Sequence, residues 1–436
     1  MSDRASFLLA GARLVDPSSG TDVVADLAVV DGMLAEPSPD LRRLDGRGLV
    51  VAPALCDLRA SLAPDLDDPA AIADLARCAA RGGYTSVCLA SSPERSRDIP
   101  ARMAGLHLRA MGAMTRDGAG EQLADLRALT DAGVVGVSDA ATRSAGLTRA
   151  ALLYLAPLGM PLVVRAEEPS LAGGALVRAG RVSTRLGLSG WPPSAEVVVV
   201  ERDLALAAET GGWIHFSRLS TAGALDAIRR ARARGVRVTC DVAASHLALW
   251  DGWVAGDRRF SWDAADGSPF TNALNPSLAY DAACRTDPPL PSLADARALL
   301  AGVSDGTVDA VVSDHAPQPP QRKLVEFAAA SPGMVGLQTS LSLGLAAVEV
   351  GALELPDLVA ALGVRPAALV GERRTLAIGS PADLVVFDPA ARWVVERETL
   401  ASVHANTPLL GRELPGVVRL TVADGRITHG DLADLS

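Results

Sequence analysis

The 436-residue sequence predicts an α/β fold, a (β/α)8 barrel of the TIM type with a small β-domain formed by both termini. Three observations predict it. Apolar runs at 49–55, 84–89, 107–111, 134–137, 161–164, 213–216, 236–242 and 308–312 have the buried character of parallel strands. Between most of them lie stretches, such as 70–81, 195–210, 221–234 and 293–301, whose apolar positions recur at three and four residues. Both ends of the chain read instead as short strands and turns. A doubly wound sheet is the competing architecture, but eight repeats and no Gly-rich phosphate loop count against it.

In chain order, the runs 7–10 and 23–30 flank the turn Asp16-Pro17-Ser18-Ser19-Gly20. The C-terminal stretch has the same character, with apolar runs at 383–387 and 417–422 and then the hairpin turn Asp424-Gly425. The few N-terminal strands are too short to be stable alone, so they are expected to pair with the C-terminal ones. The expected division is a composite β-domain of residues 1–50 plus 376–436 around a barrel of residues 51–375.

Composition narrows the function. With 49% hydrophobic and 21% charged residues the chain has material for a large core, which excludes a disordered or low-complexity protein. No apolar run approaches the ~20 residues of a membrane-spanning helix. The start Met1-Ser2-Asp3-Arg4 lacks a signal-peptide pattern, and a cytoplasmic location is expected. A net charge of −10 argues against nucleic acid as partner. The cysteines, Cys56, Cys78, Cys88, Cys240 and Cys284, are scattered without a CxxC pair and read as small buried hydrophobes. Lys323 is the only lysine among 41 basic residues, so any mechanism that needs a lysine has one candidate.

Barrel enzymes carry their chemistry at the C-terminal ends of the strands. Here those ends hold Asp57-Leu58-Arg59-Ala60-Ser61, Ser138-Asp139-Ala140, Arg165-Ala166-Glu167-Glu168, Ser217-Arg218-Leu219-Ser220-Thr221, Asp241 through His246, and Ser313-Asp314-His315-Ala316-Pro317. Several of these segments resemble a known family. Val51-Ala52-Pro53-Ala54-Leu55-Cys56-Asp57-Leu58 is similar to the strand that leads into the His-x-His metal motif of the amidohydrolase superfamily. Arg218-Leu219-Ser220-Thr221-Ala222-Gly223, Ser313 to Pro317, Gly333 to Thr339, Asp287-Pro288-Pro289-Leu290 and Asn406 to Leu414 resemble dihydroorotases specifically. The resemblance runs nearly end to end. It implies a zinc-binding (β/α)8 barrel that interconverts carbamoyl aspartate and dihydroorotate in pyrimidine biosynthesis.

Carried over residue by residue, the resemblance also shows what is missing. The two His-x-His positions hold Arg59 and Ser61, and the fourth-strand ligand position matches Asp139 or Ala140. The fifth- and sixth-strand histidines are replaced by Arg165 and Arg218, while the catalytic aspartate of the eighth strand is retained as Asp314. The family's substrate contacts fall on Ala63, on Ser91 and its neighbours, on Asp287 and on Gln318. Zinc takes imidazole nitrogen, thiolate or carboxylate; a guanidinium stays protonated and has no lone pair to give. No metal and no other cofactor is therefore expected.

Zinc lowers the pKa of bound water from about 15.7 to about 7, roughly 12 kcal/mol of proton-transfer free energy. A lone general base at Asp314 contributes ~10²–10⁴-fold. The expectation is a catalytically inactive dihydroorotase-like protein acting as a structural partner of aspartate transcarbamoylase in an oligomeric assembly, as the resemblance to the family's non-catalytic members implies. The alternatives are an active or weakly active dihydroorotase and a sensor of an anionic pyrimidine precursor. A buried Asp139 and Asp314 left without a metal need a cation, so Arg59, Arg165 or Arg218 is expected within salt-bridge distance of Asp314, Asp139 or Glu167.

Overall fold

The computed structural model describes residues 4–89, 102–103, 105–138, 144–264 and 275–435. Eight parallel strands pair side by side in sequence order: β1 (Leu55–Ala60), β2 (Tyr84–Leu89), β3 (Leu106–Ala113), β4 (Gly136–Ser138), β5 (Leu162–Val164), β6 (Ile214–Phe216), β7 (Val238–Ala243) and β8 (Ala310–Val312). The barrel is drawn together between β8 and β1. There Ala60 bridges His315 in parallel, Ser61 N donates to His315 O at 2.7 Å, and Ser313 N donates to Asp57 Oδ1 at 2.8 Å. Burial pushes the Asp57 carboxyl up to about 7, against the hydrogen bonds from Ser313.

Period-two alternation sorts each strand into an inner and an outer set. Cys56, Leu58, Cys88, Ala310 and Val312 pack with one another in one cluster. Val87, Leu89, Leu108, Val137, Leu162, Ile214 and Phe216 belong to the main core, with the helices. Helix Asp68–Arg81 starts at Asp67, whose carboxylate accepts from Ala70 N at 3.0 Å, and ends at Gly82. A Cβ on Gly82 would lie 2.3 Å from the Leu337 carbonyl oxygen, so only glycine fits that close approach. Helices Ser194–Thr210, Ala222–Ala233 and Leu293–Ser304 follow the same apolar spacing that the sequence displays. All five cysteines are buried and free.

The two ends of the chain form one sheet. Phe7–Asp16 and Thr21–Val30 make an antiparallel hairpin, and Val50–Pro53 joins Phe7–Asp16 in parallel. Val50–Pro53 also pairs antiparallel with Leu384–Val394, which continues to Glu413–Ala423 and Arg426–His429. Phe7, Leu9, Leu27, Val51, Leu384, Val386, Leu420 and Val422 are its buried core. One expectation is corrected here. The apolar run 49–55 is not the first barrel strand: Val50–Pro53 lies in this sheet, and the chain enters the barrel only at Leu55. Among the described residues no helix is long and apolar enough to cross a membrane.

A charged seam joins the barrel to this sheet. Glu372 accepts from Ser86 Oγ of β2 at 3.0 Å, from Arg109 Nε of β3 at 2.7 Å and from Arg374 Nη2 at 2.7 Å. Arg374 also pairs with Asp383, and His107 Nε2 lies 2.8 Å from Asp424. Burial alone would raise the Glu372 carboxyl, but His107, Arg374 and Arg109 hold it down to about 2. A depressed carboxyl contributes stability above its unfolded value of 4.5, and that contribution is lost as pH falls toward 2. Glu372→Gln is therefore expected to cost up to about 3 kcal/mol at pH 7. Denaturant melts of both proteins check this: the difference should shrink steadily between pH 4.5 and pH 2.

Candidate functional site

The mouth of the barrel collects its charges from four strand ends. Arg59 belongs to β1, Arg165 follows β5, Arg218 follows β6 and Asp314 follows β8. The segment after β6 is fixed from behind by a buried carboxylate. Glu196 accepts from Ser220 N at 2.9 Å and from the hydroxyl of Thr221, and Thr221 Oγ1 also caps helix Ala222–Ala233. Asp241 of β7 accepts from Arg218 N at 2.6 Å, and Arg218 sits at φ 57°. Asp314 sits at φ 45°. Left-handed backbone at non-glycine residues costs about 1–3 kcal/mol and persists only where surrounding contacts impose it.

Those two residues meet. Arg59 Nε lies 3.2 Å from Asp314 Oδ1, and Arg218 Nη1 lies 3.6 Å from the same oxygen. Arg218 also donates to the Asp287 carbonyl, and its side chain is only 6% exposed. Arg165 Nη2 donates to Glu167 Oε2 at 2.8 Å and to the Asp287 carboxylate; Glu167 also accepts from Trp191 Nε1 at 3.0 Å. The pairing expected from the sequence is present, and Asp287 is a further partner that motif matching assigns only to a lost substrate contact.

Electrostatics follow the geometry. Burial raises the Asp314 carboxyl, and Arg218 and Arg59 work against that rise. Arg218 is pushed down to about 10 by burial and by the neighbouring Arg59, and so stays charged at neutral pH. Burial works against the charge on Arg165, but Glu167 and Asp287 outweigh it and the group moves up.

The remaining expected positions are placed as follows. Ser61 lies at the barrel seam, and Ala63 is buried. Gln318 N donates to Asn406 Oδ1 at 2.9 Å, and its buried Oε1 has no partner. Asp139 and Ser91 lie outside the described residues. Lys323 donates to the carbonyls of Ala282 and Arg285 and does not line the barrel mouth. Sequence reading missed His215 and Asp241 as a pair: His215 Nε2 lies 2.8 Å from Asp241 Oδ2, and Nδ1 lies 2.9 Å from Thr239 Oγ1. The alternation 213, 215, 217 along β6 is the signal that turns His215 inward. His246 is in the short helix Ala244–Ala248, buried with both ring nitrogens unpartnered.

The donor set does not fit zinc. Among the described residues no group of three or more His, Cys, Asp or Glu side chains is placed to hold a metal ion. Three guanidiniums stand at the positions that the resemblance gives to metal ligands, and their charge repels a cation.

A family profile described as dihydro-orotase-like matches residues 48–223. The chain is 36% identical over 446 residues to a dihydroorotase of Geobacter sp. (strain M21), covering 97% of this chain and 99% of that protein. It is 39% identical over 439 residues to a dihydroorotase of Anaeromyxobacter sp. (strain K), covering 96% of each. Among solved structures it is similar to dihydropyrimidinase from Brevibacillus agri NCHU1002, with a TM-score of 0.76 at 19% identity over 97% of this chain and 95% of that one. An L-hydantoinase from Arthrobacter aurescens gives 0.77 at 21% identity over 97% and 96%. These two likenesses concern the fold alone.

Removing the shared negative charge leaves Arg59 and Arg218 facing each other. Asp314→Asn is expected to lower stability by about 2–4 kcal/mol, because a mostly buried guanidinium loses its counter-charge. Thermal melts check this, and Asp314→Asn combined with Arg218→Met should recover part of the loss. An unchanged melting temperature in Asp314→Asn would show that the pairing does not hold the mouth.

Proposed function

This chain belongs to the dihydroorotase-like family of the amidohydrolase superfamily, and from that membership we propose that it is a metal-free member, without turnover of dihydroorotate. Its role in this reading is structural: a cytoplasmic partner of aspartate transcarbamoylase within an oligomeric assembly of pyrimidine biosynthesis. One arrangement carries the loss of chemistry. Arg59, Arg165 and Arg218 occupy the positions that the family resemblance gives to metal ligands, and each is paired with a carboxylate. An arginine–carboxylate pair neutralises charge as a metal would, yet it neither polarises a carbonyl as a Lewis acid nor lowers the pKa of a bound water. The Asp314 carboxylate, the retained position of the catalytic base, is engaged by two of these arginines. The partner is inferred by resemblance to non-catalytic dihydroorotase-like chains, and the arginine-filled mouth supports it by weakening the enzymatic reason for the scaffold.

A second reading has a specific observation behind it. Relatives that match over nearly the whole chain carry the name dihydroorotase, which favours an active or weakly active enzyme. The two readings separate cleanly in an assay. For the metal-free reading, purified protein should hold zinc far below one equivalent and show no hydrolysis of dihydroorotate above background. Arg59→His together with Ser61→His should not restore turnover, since a tight zinc site takes three or four ligands. Stoichiometric zinc with turnover would establish the second reading. Co-expression with a transcarbamoylase catalytic chain, followed by size measurement, tests the assembly: one co-eluting species is expected, and two independent peaks would remove the partner.

A further inference from the structure

The interior of a (β/α)8 barrel is ordinarily a packed core filled by layers of side chains. Here it is not filled. A cavity of about 260 Å³ runs through the barrel from the strand N-termini, marked by Val135, Pro161 and Trp213, to the mouth at Arg59, Arg165 and Arg218. The opposite side of the interior is filled by Cys56, Leu58, Cys88, Ala310 and Val312. Strand β4 gives the inside no large side chain, because its inward positions are Gly136 and Ser138. His215 and Asp241 line the cavity but are tied to each other.

The two ends of this space differ in chemistry. Met111, Val135, Pro161, Val163 and Trp213 make an apolar wall that includes an indole and a thioether, groups that favour an aromatic ring as neighbour. At the mouth the three guanidiniums of Arg59, Arg165 and Arg218 are balanced by Asp314, Glu167 and Asp287, but Arg59 spends only its Nε on Asp314 and its side chain is 30% exposed. Arg218 is nearly buried, and its Nε has no partner. An incoming carboxylate would accept from the Nη donors that Arg59 leaves unused.

We propose that the barrel interior binds a small aromatic monocarboxylate, its ring among Met111, Val163 and Trp213 and its carboxylate at Arg218 and Arg59. The size follows from volume: a dry cavity of about 150 Å³ holds benzene, so 260 Å³ takes roughly ten non-hydrogen atoms, with the head group in the mouth. The inference needs the arginines in place, as the metal-free reading of the mouth does. It is read by binding, whereas that reading is tested by zinc content and turnover, so either fails without the other.

The test is calorimetric titration of the full chain with 2-naphthoate, with naphthalene-2-methanol as uncharged isostere and with acetate. 2-Naphthoate is expected to bind at least tenfold more tightly than the alcohol, with no measurable binding of acetate, and to quench tryptophan emission in the native chain but not in Trp213→Phe. Ser138→Leu and Val163→Phe, which fill the cavity, should each weaken binding tenfold or more without lowering the melting temperature. Absence of binding to the native chain overturns the proposal. So does equal affinity for acid and alcohol, which removes the arginine contact, or unchanged affinity in both filling variants, which puts the ligand elsewhere. Should the filling variants not fold, the acid-to-alcohol ratio and the Trp213→Phe quench decide alone.

Discussion

The Asp314 carboxylate, shared by Arg59 and Arg218, is the contact on which the rest of the mouth depends. It joins the ends of three strands that are not sequence neighbours, β1, β6 and β8, and two of the three residues belong to the seam where the barrel comes together. Its geometry is not relaxed. Arg218 and Asp314 are both held at positive φ, a conformation that side chains with a Cβ enter only under constraint. The constraint is visible on each side: Asp241 and Glu196 fix the segment after β6, and Asp57 binds Ser313 immediately before Asp314. Strain of this kind belongs to a mouth built for positioning. The side chains now positioned there are guanidiniums.

A carboxylate buried in a barrel mouth needs compensation, and a metal and an arginine supply different kinds. A divalent ion gathers several ligands around one centre and leaves a position open for water. Each guanidinium brings a single charge, a planar fork of donors and its own bulk. That is why the three arginines work as a set. Arg165 satisfies Glu167 and Asp287, while Arg59 and Arg218 satisfy Asp314, and no one of them reaches all three carboxylates. Reverting one position would leave a histidine without a metal and a carboxylate short of a cation. The arrangement therefore holds itself in place on stability grounds alone.

Much of the architecture was legible in the sequence because buried parallel strands and amphipathic helices write different periods. The exception, the run 49–55, is instructive. Val50–Pro53 and Leu55–Ala60 are both buried, one in each sheet, so apolar character is continuous across the point where the chain passes between them. At the site, the arginines were legible through aligned motifs, and their pairing through the cost of an unpaired buried charge. The His215–Asp241 pair and the part played by Asp287 were not legible. His215 and Asp241 are 26 residues apart and meet only because β6 lies beside β7. Asp287 reaches Arg165 across 122 residues from a segment without regular structure. Glu372 is the same case at the other end of the barrel, where its four partners come from β2, β3 and the start of the return to the terminal sheet.

Family membership and the proposed loss of chemistry are compatible because they rest on different residues. Identity of 36–39% extends over nearly the whole chain. Metal chemistry rests on a handful of side chains at strand ends, and exchanging all of them changes the overall identity by about one part in a hundred of 436 residues. A name shared with relatives therefore speaks for the scaffold, whereas the reaction has to be argued from the side chains at the mouth. There, a hydrolytic reading has to free Asp314 from two arginines and find lone-pair donors where guanidiniums stand. The structural reading asks only that the charges already paired remain so.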